Sequence, residues 1–196
     1  MTASRHLVWL RSDLRTADNT ALAMAAEDRH AEIACVYVMT PEQWRRHDVA
    51  GVRIAFELRT LHELAQQLEK LNIPLLVIEV SDFAAIPAAL VALCRQHGIA
   101  AVHCNRQYEV NEQDRDEQVQ AALNAEGIPF HSHHDQCIIA PGQVLTGDGR
   151  FYSVFTPFKR NWLAQLDATG LALRPEPHKR AKRFADSSPL PSSMDG

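Results

Sequence analysis

The sequence predicts an α/β fold: a Rossmann-like, five-stranded parallel sheet flanked by helices. Two observations predict it. Short, near-continuous apolar runs recur along the chain, as strands buried on both faces require. Longer segments with helical periodicity separate them, and strand–helix alternation repeated four times specifies parallel pairing through crossovers. The strand runs cover residues 6–11, 32–39, 74–80, 100–105 and a shorter 128–131. With the Rossmann-like order 3-2-1-4-5, strands one and four become neighbours at the topological switch point.

Each helix carries its own signal. Asp18 or Asn19 caps the first, which holds the stretch ALAMAA. The second spans about residues 52–71, where Ile54, Leu58, Leu61, Ala65 and Leu68 recur at steps of four and three and form one apolar stripe. The third covers about 83–97 and stops at Gly98, with Pro87 drawing its start toward itself. The fourth covers about 111–126, with Asn111 as its cap and Gly127 as its stop.

Residues 1–140 are therefore read as the α/β domain. Residues 141–173 form an extension with turn signals at Pro141-Gly142 and Gly147-Asp148-Gly149, followed by an aromatic-rich helix. Residues 174–196 have little to bury and several prolines, and read as linker or disordered tail. A chain ending in linker is expected to be a piece of something longer.

Composition narrows the function classes. The chain has 196 residues, 46% of them apolar, enough for one substantial domain core. A formal charge of −4 argues against a strong nucleic-acid footprint within the chain. Cys35, Cys94, Cys104 and Cys137 are widely spaced, so neither a disulfide framework nor a zinc site is expected, and a reducing cytoplasm fits best. No stretch approaches the roughly 20 apolar residues of a membrane-spanning helix.

The phosphate-binding glycine motifs are missing: the turn after the first strand contains no glycine, and no nucleophile elbow occurs. In HSHHD (131–135) the alternation sends His131 and His133 to one face and His134 to the other, which favours a solvated strand end over a metal site. NRQYEVNEQDRDE (105–117) leaves strand four and offers Asn111 and Glu112 at the carboxyl end of the sheet, where open α/β folds bind ligands. A carboxylate there accepts two hydrogen bonds from the amino-pyrimidine edge of a heterocycle. After strand two, MTPEQWRRHD (39–48) offers Trp44 and His47 as an aromatic wall, although packing alone has Trp44 filling the gap beneath a loop. In RSDLRTADN (11–19), Arg11, Asp13 and Arg15 read as a salt-bridged frame, because no nucleophile stands beside them.

Together these residues resemble one family. WLRSDLRTADN (9–19) resembles the signature R-x-D-L-R-x-x-D-N of DNA photolyases and cryptochromes. YEVNEQDRD (108–116) and YSVFTPFKRNW (152–162) resemble two further family stretches in the same order, and TPEQWRRHD (40–48) a segment of the folate-type bacterial enzymes. The resemblance is to class I cyclobutane pyrimidine dimer photolyases and covers roughly residues 6–166. It implies the N-terminal antenna domain of a light-driven DNA-repair lyase. Such a domain binds a chromophore, often 5,10-methenyltetrahydrofolate, while a following helical domain holds FAD and reads the flipped-out dimer in damaged DNA.

By that resemblance Asn111 and Glu112 contact the pterin and His47 lies against the folate. No catalytic residue and no metal ligand is expected in this chain, and folate retention by it alone is expected to be weak. The surface of FYSVFTPF (151–158) is expected to face the helical domain and to promote self-association when bare. The alternatives are a cryptochrome-like photoreceptor domain and a stand-alone Rossmann-like nucleotide-binding enzyme.

Overall fold

Five strands join into one sheet in the order β3-β2-β1-β4-β5 in the computed structural model, which describes residues 3–171 and 173–191. The strands are β1 (Arg5–Leu10), β2 (Glu32–Met39), β3 (Leu75–Glu79), β4 (Ala101–Asn105) and β5 (Phe130–His133), all paired in parallel. This is the predicted order. β5 begins two residues later than its apolar signal, because its pairing starts at Val102↔Phe130 and its side chains are mostly polar.

The helices are α1 (Thr20–Ala25), α2 (Pro41–Arg46), α3 (Gly51–Lys70), α4 (Ile86–His97), α5 (Val110–Ala125) and α6 (Phe155–Thr169). Alternation along β1 divides the core. Val8 and Leu10 pack with Ala21, Leu22 and the α3 stripe Leu58, Leu61, Leu64 and Leu68 on one face. Leu7 and Trp9 pack with Leu90 and Leu93 of α4 and Val119 and Leu123 of α5 on the other. Both strand faces are thus buried in the middle of the sheet, which explains the unbroken apolar runs.

Local chemistry sets the helix starts. Asn19, not Asp18, caps α1, its side chain accepting from the Leu22 N–H at 3.0 Å. Asp18 instead takes a left-handed conformation (φ 51°) and receives the Arg174 N–H at 3.1 Å. Asn111 is not the cap of α5: the helix begins one residue earlier, with Glu109 in the cap position, which leaves Asn111 in the first turn. Pro87 lies in the first turn of α4, behind a 3₁₀ turn (Phe83–Ala85) capped by Asp82.

Residues 173–191, expected as linker or loose tail, carry no regular element and lie against the domain; 192–196 fall outside the described residues. Arg180 is buried and donates to the Asp28 and Ala26 carbonyls at 3.0 and 3.2 Å, while its own N–H bonds to the Leu71 carbonyl at 2.8 Å. Further on, the Ser187 and Ser188 hydroxyls accept from Leu75 N–H (3.1 Å) and Val77 N–H (2.9 Å), and Ser188 N–H donates to Leu75 O (2.8 Å). The segment therefore covers the outer edge of β3, whose backbone groups would otherwise stand as a template for another strand.

Candidate functional site

The exit from β1 is a buried polar joint. Asp13 accepts the Arg11 N–H at 2.7 Å, and the Asn105 amide donates to Asp13 Oδ2 at 2.7 Å and to Asn19 Oδ1 at 2.9 Å. Asn105 Oδ1 accepts the Ala21 N–H at 2.8 Å, and Asn19 Nδ2 donates to the Asp13 carbonyl at 3.1 Å. The end of β4, the β1 loop and the start of α1 thereby become one unit. Asp135, just beyond β5, extends it by accepting the Thr20 N–H at 2.8 Å and Arg15 at 2.5 Å. The charged signature is thus the frame expected from its spacing.

Two guanidiniums sit on the indole of Trp9: Arg11 lies 4.4 Å and Arg115 4.8 Å from its centroid, and Arg115 is also 4.8 Å from that of Phe83. Arg11 donates to the Asn105 carbonyl and to Asp116 (3.4 Å). Burial acts to lower its pKa, but Cys104, Asp116 and Asp13 outweigh burial and hold it above its ordinary value. Arg115 bridges Gln107 (2.8 Å) and Asp116 (2.7 Å); burial holds its pKa below the usual arginine range, against the pull of Asp116. Cation–π contact and charge-assisted hydrogen bonds compensate these buried charges.

Above this floor opens a crevice of about 310 Å³ at the carboxyl ends of β1, β2 and β4. The switch point lies between β1 and β4, so this is where the topology places a ligand site. Asn111, Glu112 and His47, the three predicted site residues, all line it, as do Trp44 and Arg115. They arrive from different elements: His47 from the end of α2, Asn111 and Glu112 from the first turn of α5. Trp44 takes both of its readings, packing against the core and lining the crevice.

Opposite α5 stands a column made by β2 and α3. Tyr37 donates its hydroxyl to Glu57 at 2.8 Å, and Arg53 donates to Glu57 at 3.3 Å. Burial and the neighbouring Glu57 carboxylate both push the Tyr37 phenol above its ordinary range. The crevice is continuous with a second hollow of about 290 Å³, which shares Gln43, His47, Phe83, Asn111 and Arg115 and extends to Asp114 and Gln118. Sequence reasoning missed Arg115 and the Tyr37–Glu57–Arg53 column, since a lone arginine on a polar helix looks solvated. The thin apolar face of α5, carried by Val119 and Leu123, was the available signal that a buried charge completes it.

A larger cavity, about 1070 Å³, lies at the other end of the strands, lined by Ser4, Arg5, Asp28, Glu32 and Lys182 among others. It is remote from the switch point and takes nothing from the charged signature or from the Asn111–Glu112 stretch. Among the described residues, no group of three or more His, Cys, Asp or Glu side chains is arranged to hold a metal ion. None of the described helices is long and apolar enough to cross a membrane.

The DNA photolyase family matches residues 6–179 of the chain. The deoxyribodipyrimidine photo-lyase of Vibrio cholerae is 44% identical over 157 residues, 80% of this chain and 33% of that protein. The enzyme of the same name from Salmonella typhimurium is 40% identical over 190 residues, 97% of this chain and 40% of that protein. The crystal structure of a bacterial class III photolyase from Agrobacterium tumefaciens superposes with a TM-score of 0.76 at 25% identity, covering 97% of this chain and 38% of that one. The chain thus spans between a third and two-fifths of the length of these two photo-lyases. With this match, the predicted sheet order and the signature loop in its expected place, the chain belongs to the DNA photolyase family and has the fold of its N-terminal α/β domain.

Proposed function

We propose that the crevice between β1, β2 and α5 holds a light-harvesting folate, 5,10-methenyltetrahydrofolate. On this reading the chain is the antenna part of a deoxyribodipyrimidine photolyase that repairs cyclobutane pyrimidine dimers. The observation that carries it is convergence: the adjacent Asn111 and Glu112 and the sequence-distant His47 line one crevice at the switch point. A volume of about 310 Å³ suits a two-ring heterocycle, and the adjoining hollow gives the rest of a folate a path outward.

Glu112 supplies acceptors for the amino-pyrimidine edge, Asn111 an amide beside it, and Trp44 with His47 a flat wall for stacking. When bound, such a folate supplies near-ultraviolet and blue absorption and passes its excitation to a flavin. This chain's own residues hold the rings, fix their orientation and exclude water from one face. Titration of the 196-residue chain with 5,10-methenyltetrahydrofolate, followed by absorbance and tryptophan quenching, should give saturable binding that ATP does not compete for. Saturable ATP binding with no folate binding would favour a nucleotide-binding enzyme instead.

FAD and UV-damaged DNA fall, on this reading, to the helical domain of the family. Phe151, Val154 and Phe155 are 77%, 59% and 72% exposed, an apolar face that suits packing against such a domain. Sedimentation velocity of the chain alone should show concentration-dependent self-association, abolished by Phe151→Ser with Phe155→Ser. A monomer at every concentration would remove the argument that this face needs a partner.

A further inference from the structure

Four histidines from three adjacent strands form a ladder on the sheet face that α1 covers: His6 on β1, His103 on β4, and His131 and His133 on β5. The His103 ring centroid lies 5.3 Å from that of His6, 4.8 Å from His131 and 5.5 Å from His133. His103 Nδ1 and His133 Nε2 are 3.2 Å apart, a hydrogen bond that needs one ring to donate and the other to accept. His103 is buried, and its Nε2 has no hydrogen-bond partner among the described residues. His131, by contrast, is exposed.

We propose that this ladder is an acid-sensitive latch: its rings pack only while uncharged, and protonation releases α1 and β5 from the sheet. A proton on the accepting ring nitrogen leaves two N–H groups facing each other across the His103–His133 contact, and a charged His103 carries a buried Nε2–H with no acceptor among the described residues. Carboxylates do stand around the ladder, Asp28 toward His6, and Glu27 and Asp135 toward His133, but Arg174 and the other imidazoles oppose them. The balance favours the neutral rings. Burial first, then the neighbouring histidines, lowers His103 to about 3, and burial lowers His6 and His133 as well.

The sign follows from linkage. A histidine whose folded pKa lies below its unfolded value leaves stability intact above pH 6.5 and drains it as pH falls toward the folded value. Each proton withheld from the folded state costs a factor of ten in the folding constant per pH unit. The latch also connects to the polar joint at the exit from β1. Asn105, two residues beyond His103 on the same face of β4, holds Asp13 and the start of α1, and Asp135, two beyond His133, holds Thr20.

The test compares urea unfolding of the chain at pH 7.5 and 4.5 with that of His103→Gln. His103 alone should contribute about a 100-fold loss of the folding constant over this interval, absent in the variant. Equal acid sensitivity of the two proteins would overturn the proposal. Amide exchange of the wild-type chain gives a second readout: acid should raise exchange in α1 and β5 ahead of α3 and α4, and a uniform rise overturns the latch. Should His103→Gln fail to fold, the wild-type His103 ring resonance decides. Charging near pH 6.5 refutes the mechanism, and no charging above pH 5 supports it.

Discussion

Replacing Asn105 by leucine should cost about 4 kcal/mol of folding free energy, a large share of the roughly 5–15 kcal/mol that stabilises a domain. The side chain is 2% exposed and makes three hydrogen bonds, two as donor and one as acceptor. Leucine matches its shape but satisfies none of them. It removes a donor from the buried Asp13 carboxylate and an acceptor from the Ala21 N–H, each loss worth about 1–3 kcal/mol. Urea unfolding at pH 7 reads the loss as a shift in midpoint with little change in slope. A loss below about 1 kcal/mol would mean that the signature loop is solvated and does not frame the crevice.

Glu112→Ala should weaken 5,10-methenyltetrahydrofolate binding about 100-fold, since two hydrogen bonds to a charged acceptor are lost from a half-buried position. Glu112→Gln keeps one carbonyl acceptor and should lose about tenfold. Glu109→Ala serves as the control, because Glu109 turns to the Tyr108 N–H and does not line the crevice. Unfolding midpoints should be equal for all three variants, as none of them is buried in the core. Equal affinities for Glu112→Ala and the wild-type chain would remove Glu112 from the site.

Much of this architecture is legible in the residues because its driving forces are apolar and periodic. The strand runs are continuous since both faces are covered, and the α3 stripe is regular since one face meets the core. β5 is displaced by two residues because FHSH has no apolar signal to anchor it, and its histidines pack on one another. α2 escapes notice at six residues, too short for periodicity to register.

The segment after 173 escapes for a different reason. Its attachment runs through arginine, serine and backbone hydrogen bonds, which a hydrophobicity reading takes for solvent exposure. In the crevice, Glu112 and Asn111 are found through their place after strand four, and Trp44 and His47 through theirs after strand two, while the resemblance supplies the folate contacts of Glu112, Asn111 and His47. Arg115 is visible only once Trp9 and Phe83 are seen to enclose it.

The most direct test of the central claim is a crystal structure of the chain soaked with 5,10-methenyltetrahydrofolate. Bound folate should give ring density in the crevice, with its amino-pyrimidine edge within hydrogen-bond reach of Glu112 and its face against Trp44 or His47. Density only in the cavity at the opposite end of the strands, beside Arg5 and Lys182, would contradict it, as would a fully soaked crystal with an empty crevice.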